Sequence, residues 1–381
     1  MDDLKTLRAR IDELDDGIID LFRERMAAAR DIAACKRESG LGVLNRSRER
    51  EVLARVTGRA GEELESYAKL LYQTIFEVSR SYQDRLLVDD SAFTARIEAA
   101  IQNTPPLFPT KATVACQGVE GAYSQVACDK LFSLPSILYF RQFDGVFQAV
   151  QSGMCRYGIL PIDNSSNGSV GRVYDLMRNH RFHIARSIRL CVRHSLLAKP
   201  GVALSDVKEI FSHEQALGQC SEYLKELRGV KVTVCENTAA AARLVAESDR
   251  RDIAAISSPH CAGLYGLSVL NDRVQNSENN YTRFICIAAK PEVYPGADRT
   301  SLLVTLSNEP GSLYQVLARI YGRGINLTKL ESRPIPGSDD TFRFYFDLEA
   351  SVYSPELPKL LGELESVCEH VCYLGSYSET V

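Results

Sequence analysis

The 381 residues exceed the length at which one hydrophobic core keeps growing, so two or three domains are expected. Hydrophobic residues at 45% and charged residues at 25% exclude a disordered chain, and a formal net charge of -4 excludes the broad basic field of a nucleic-acid binder. Eleven scattered cysteines, an odd number with no Cys-x-x-Cys pair, argue against a disulfide framework or a zinc site and for reduced, buried thiols.

The opening Met1-Asp2-Asp3-Leu4-Lys5 has no apolar signal core, and no later run approaches membrane-spanning length, so a cytoplasmic protein with no membrane partner is expected. The first element is a helix over residues 3–38. Apolar or small residues recur at Leu4, Leu7, Ile11, Leu14, Ile18, Leu21, Ala28, Ile32 and Cys35, a 3.5-residue seam. No helix this long is stable alone in water, so its stripe has to be buried on partners. Helices over 46–58 and 62–100 complete an all-helical module, residues 1–102.

Arg25 stands where the heptad calls for an apolar residue, and a cation there needs an anion. Lys36 lies about 1100° further round the axis, within roughly 20° of the same face. Arg8 is about 1700° away and points roughly a quarter turn aside, so a shared cavity would take it from another subunit. Asn45, Arg48 and Glu49 open the second helix, and Ser79 and Gln83 form an i, i+4 pair on the third. Taken singly each is an ordinary solvated residue. Together they suit a small dianion.

Three prolines within Asn103-Thr104-Pro105-Pro106-Leu107-Phe108-Pro109 mark a boundary. Beyond it β-like runs (Ala112–Cys116, Tyr157–Ile162, Val207–Phe211, Val230–Val234, Ile253–Ser257) alternate with helices, giving an α/β module over 111–290. Three turns lead into helices: Gly118–Ser124, Asn164–Val170 and Ser212–Gln215. Such turns offer free N–H groups to anions, although N-capping alone explains any one of them. His213 is read as a helix-start residue before a general acid. No histidines pair as metal ligands and no Gly-x-Gly-x-x-Gly follows a strand, so no cofactor and no metal are expected. After Lys290–Gly296, the runs Thr300–Leu306, Gly311–Tyr321, Ile325–Pro334, Thr341–Glu349, Pro355–Glu365 and Val371–Ser376 spell βαββαβ, which suits a small ferredoxin-like domain over 299–378.

Three resemblances follow from these residues. Arg8, Arg25, Lys36, Asn45, Arg48, Glu49, Ser79 and Gln83 make residues 1–100 similar to the all-helical chorismate mutases, with Asn45 where relatives often have Asp. The resemblance implies that Arg25, Arg48 and Arg8 of the partner subunit hold two carboxylates. Lys36 and Gln83 would bond the ether oxygen and Glu49 the hydroxyl, with Ser79 in the same site. The rearrangement needs no nucleophile, only a held conformer and stabilised charge.

Leu160-Pro161-Ile162-Asp163-Asn164-Ser165-Ser166 and Thr282-Arg283-Phe284 make residues 111–290 resemble prephenate dehydratases. That implies two α/β lobes, similar to periplasmic binding proteins, with substrate between them. Asn164, Ser212, Gln215, Gln219, Glu236, Thr282 and Arg283 would be catalytic. Asp163, Ser165, Thr238 and Phe284 would bind substrate, Asp163 replacing a Glu common there. Thr282 is expected to donate towards the departing hydroxyl, while Arg283 positions the loop and substrate.

Asn308-Glu309-Pro310-Gly311-Ser312-Leu313 and Glu331-Ser332-Arg333-Pro334 resemble an ACT domain. By that resemblance Gly311, Ser312, Leu313, Asn326 and Leu327 contact phenylalanine, and Glu331, Ser332 and Arg333 couple to the dehydratase. The whole implies an enzyme of phenylalanine biosynthesis that takes chorismate through prephenate to phenylpyruvate, under feedback by L-phenylalanine. It would act as a homodimer, a tetramer being left open. A dehydratase whose helices only dimerise the chain is disfavoured by the intact cations. A non-catalytic sensor is disfavoured by Thr282-Arg283-Phe284.

Overall fold

The computed structural model describes residues 3–39, 43–87, 92–335 and 341–381. Helices α1 (Leu4–Ser39), α2 (Arg46–Ala60) and α3 (Glu65–Leu87) follow the expected seam, but the stretch expected as one helix to residue 100 is two. The second is α4 (Ala92–Asn103), and residues 88–91 between them lie outside the described residues. Ile97 and Ala100 of α4 are buried in the core of the C-terminal module, so this helix packs away from the module it was expected to join.

The central region alternates as the sequence implied: β1 (Lys111–Gln117), α5 (Tyr123–Leu131), β2 (Leu134–Phe140), α6 (Phe143–Gln151), β3 (Tyr157–Asn164), β4 (Gly168–Ser169), α7 (Gly171–Met177) and β5 (His183–Cys191). Then come β6 (Ser195–Ala198), β7 (Glu209–Ser212), α8 (Glu214–Gln219), α9 (Ser221–Glu226), β8 (Lys231–Val234), α10 (Thr238–Glu247), β9 (Ile253–Ser257), α11 (His260–Tyr265), β10 (Ser268–Asn271) and β11 (Tyr281–Ala288). They form two lobes. One sheet is ordered β10-β6-β9-β7-β8. The other runs β5-β11-β3-β1-β2 with β4 beside β3, and the chain passes between the lobes at 192–194 and 272–280.

The last module is β12 (Arg299–Ser307), α12 (Ser312–Gly322), β13 (Asn326–Pro334), β14 (Thr341–Glu349), α13 (Glu356–Val367) and β15 (His370–Tyr377), with antiparallel strand order β13-β14-β12-β15. Period-2 alternation divides β12 between two partners. Leu302, Val304 and Leu306 pack under the helices, while Leu303 joins the core of the first lobe. The sheet is therefore buried on both faces. Gly375 lies against the backbone of Ile184, where a Cβ would overlap the Ile184 carbonyl, and β16 (Glu379–Thr380) adds an edge strand beside β5.

Candidate active sites

On α1, Arg25 occupies its seam position half-buried, donating to Ser79 Oγ on α3 and lying over the Phe76 ring. Burial holds its pKa below the ordinary arginine value. Gln83, one turn on from Ser79, is 8% exposed, and its Oε1 has no partner among the described residues. Lys36 donates to the Val43 carbonyl, which precedes α2. Asn45 caps α2 by accepting from the Arg48 backbone N–H at 3.1 Å, which explains why an amide serves there. Arg25, Ser79 and Gln83 thus gather as expected. Arg48 and Arg8 do not: Arg48 is exposed and pairs with Glu51 at 3.0 Å, and Arg8 is exposed on α1.

Glu49 accepts from Arg80, a residue that sequence reasoning missed. Arg80 also bonds Glu77, which in turn takes Arg319 of α12 at 3.0 Å, while Arg319 lies 3.5 Å from Asp84. A charge on a helix reads as solvated. Glu77, Asp84 and Arg319 are buried where α12 docks on α3. A cavity of about 1030 Å³ lies between α1, α3, α12 and α13 and takes none of the expected catalytic residues.

The dehydratase candidates converge on a cavity of about 520 Å³ between the two lobes. Asn164, Gln215, Gln219, Glu236, Thr238, Thr282 and Phe284 line it, together with His194, Arg172 and Tyr123. Strand register explains the first grouping. Thr282 on β11 faces Asn164 on β3, and Asn164 Nδ2 lies 2.9 Å from Thr282 Oγ1. His213 Nδ1 caps α8 by accepting from the Gln215 N–H, as its reading as a helix-start residue implied.

Four expected contacts are corrected. Arg283 follows Thr282 in an extended strand, so its side chain leaves by the opposite face. There it pairs with Asp347 of β14, bonds Tyr377 Oη at 2.8 Å and lies 2.8 Å from Glu379. Ser212 is fully buried and donates to the Ile256 carbonyl at 2.6 Å, a bond between strands. Asp163 turns to Lys329 of β13 at 2.7 Å and to Tyr174. Ser165 closes its own loop, donating to the Asn279 carbonyl and accepting from the Tyr281 N–H.

In the C-terminal module Gly311, at φ +94°, opens α12 with Ser312 and Leu313 behind it, a backbone conformation that favours glycine. Asn326 bonds Glu349 at 2.7 Å, and Leu327 packs on the core. Glu331 accepts from Ser169 Oγ at 2.6 Å and pairs with Arg333 at 2.9 Å, and Arg333 lies against Gly171. Ser169 and Gly171 both line the cleft, whereas Ser332, between them on β13, alternates to the other face. Among the described residues no helix is long and apolar enough to cross a membrane.

Residues 114–292 match the family model of prephenate dehydratase, and residues 7–84 match chorismate mutase type II. Fold and site therefore define a chain that carries a mutase ahead of a dehydratase. It is 31% identical to the bifunctional chorismate mutase/prephenate dehydratase of Escherichia coli (strain K12), over 99% of this chain and 97% of that one. It is also 39% identical to arogenate dehydratase 2 of Petunia hybrida over 69% of this chain and 71% of that relative. Among solved structures, the prephenate dehydratase of Arthrobacter aurescens in complex with L-Phe is similar at a TM-score of 0.65 and 29% identity, covering 70% of this chain and 89% of that one.

The chain belongs to the family of bifunctional chorismate mutase/prephenate dehydratases. It rearranges chorismate to prephenate and converts prephenate to phenylpyruvate.

Proposed function

We propose that Thr282 is the donor to the departing ring hydroxyl in the dehydratase step. The observation that carries this is its place in the cleft with Asn164 Nδ2 already donating to its oxygen, which keeps the threonine proton for the substrate. In the reaction the bond to the ring carboxylate breaks and carbon dioxide leaves. Its electron pair completes the aromatic ring, and the C–O bond breaks with hydroxide departing to be protonated by solvent. A hydrogen bond to that oxygen stabilises the charge as it builds. Gln215, Gln219, Glu236 and Thr238 orient the substrate between lobes that close on it. Thr282→Val is expected to lower dehydratase turnover at least 100-fold with mutase turnover unchanged, and full retention of phenylpyruvate formation would overturn the assignment.

The mutase site is read as Arg25, Lys36, Glu49, Ser79 and Gln83 from one chain, with Arg48 swinging in over substrate and Arg8 of the partner subunit completing the grip. What supports a second copy is α1. Leu4, Leu7, Ile11, Leu14, Ile18 and Leu21 are all exposed within one chain. A seam of that length requires cover, and a homodimer supplies it.

The C-terminal module is read as an ACT domain that binds L-phenylalanine near Gly311, Ser312, Leu313, Asn326 and Leu327. Its βαββαβ order and the L-Phe complex of the Arthrobacter aurescens relative support this. Glu331 and Arg333 carry the signal to Ser169 and Gly171, and phenylalanine inhibits by favouring one arrangement over another. The protein is assigned to the cytoplasm. Chorismate turnover by the full chain, followed to phenylpyruvate with and without phenylalanine, tests this reading.

A further inference from the structure

Asn280, behind the cleft wall, and His194, on the cleft lining, were given no role by the sequence expectations. Both are buried, at 2% exposure each, and both belong to one hydrogen-bond chain that ends at Thr282. The chain has a direction. Asn164 Oδ1 accepts from the backbone N–H groups of Ser166 at 3.1 Å and Asn167 at 2.9 Å. A backbone N–H can only donate, so these two contacts decide which end of the Asn164 amide is oxygen. Its nitrogen then offers two protons, one to Asn280 Oδ1 at 2.8 Å and one to Thr282 Oγ1 at 2.9 Å.

The sense propagates. With its oxygen occupied as an acceptor, Asn280 donates through Nδ2 to Gln219 Oε1 at 3.0 Å. The same Gln219 oxygen lies 2.9 Å from His194 Nε2, and two acceptors cannot share a bond, so the histidine proton sits on Nε2. Among the described residues His194 Nδ1 is buried with no partner, and burial lowers the histidine's pKa from its ordinary value, which favours the neutral ring. Both lone pairs of the Gln219 oxygen are thereby used. Its amide nitrogen, which has no partner among the described residues, is left for the cleft that Gln219 lines.

We infer that Asn280 and His194 are positioning residues of the dehydratase reaction, which hold a hydrogen-bond chain in one polarity so that Thr282 and Gln219 meet the substrate as donors. The inference rests on Thr282 being the donor to the departing hydroxyl. Each link from Thr282 through Asn164, Asn280 and Gln219 to His194 Nε2 is paired, and breaking one leaves a polar group unpaired in a low-dielectric interior, which is costly. Prephenate brings two carboxylates and a departing hydroxyl, all acceptors, so a chain of the opposite polarity would face acceptors with acceptors. Asn280 touches no substrate in this scheme. It acts through its neighbours.

The experiment measures dehydratase kcat and KM in the full chain, with mutase turnover as the control for folding. Asn280→Leu removes both links and is expected to lower dehydratase kcat about 10- to 100-fold. Asn280→Asp still accepts from Asn164 but cannot donate to Gln219, so the Gln219 amide turns its oxygen to the cleft; KM rises about 10-fold while kcat stays within threefold. On a Thr282→Val background, Asn280→Leu adds less than a further twofold loss of kcat, because its effect on kcat passes through the Thr282 hydroxyl while the Gln219 link is read in KM. Should Thr282→Val abolish turnover while both Asn280 variants keep kcat and KM within twofold of wild type, the positioning role is refuted and the Thr282 assignment stands. The same holds if the double variant shows the full product of the two single losses. A Thr282→Val enzyme with normal turnover sinks the underlying assignment instead.

Discussion

The two catalytic regions are built on opposite plans. The dehydratase candidates gather in a cleft within one chain: its polar residues come from both lobes, and Asn164 and Thr282 are locked by adjacent strands. The mutase residues sit on helices with few neighbours; of the 36 residues of α1, only Ala29 and Ala33 are buried. A site between two lobes is finished by folding, whereas a site on an amphipathic helix is finished by assembly. The same contrast governs rigidity, since strands pin a side chain's direction and an uncovered helix does not.

That contrast can be broken at several points. Arg25→Ala removes the one seam cation that burial already holds beside Ser79, and mutase turnover is expected to fall about 1000-fold, with dehydratase turnover within twofold, in paired assays on the same preparation. Equal loss of both activities would mean that Arg25 supports the fold. Next in size is the seam itself. Placing charge on it with Leu7→Glu and Ile11→Glu should convert the proposed dimer to a monomer in sedimentation and lower mutase turnover about 100-fold, while the dehydratase keeps most of its rate. A monomer with full mutase activity would show that the site needs no second copy.

Smaller effects sharpen the dehydratase side. Glu331→Gln weakens the links to Ser169 and Arg333, and phenylalanine inhibition of the dehydratase is expected to need about 10-fold more effector with uninhibited kcat unchanged. Least of all is a pH effect. Burial lowers the pKa values of His183, His194 and His213 from 6.5, so the folded chain stays neutral at these sites while the unfolded chain takes up protons. Stability is therefore greatest above pH 6.5 and declines as pH falls from there through the lower values of the folded chain. Thermal melts above and about one pH unit below the ordinary histidine value read this as a lower Tm in acid, and His194→Asn should flatten the difference.

The sequence by itself determined the order of the parts. A 3.5-residue seam with one arginine in it, alternating runs in the middle and βαββαβ at the end follow from local periodicity, which needs no knowledge of neighbours. The cleft residues Asn164, Gln215, Gln219 and Thr282 were legible through the resemblance that their motifs carry, with Asn164 and Gln215 also in turns that lead into helices. Tertiary structure alone decided which face each strand turned to the cleft. Alternation says that Thr282 and Arg283 point opposite ways but not which of them meets the substrate, and Arg283 went to Asp347 because the C-terminal sheet packs behind β11. Packing also carried α4 into the C-terminal core and enclosed Arg80 and Glu77 under Arg319. Asn280 and His194 were silent in the sequence for the same reason: their partners lie 61 and 25 residues away at Gln219. A polar side chain's role is set by what is brought against it, and only the folded chain brings it.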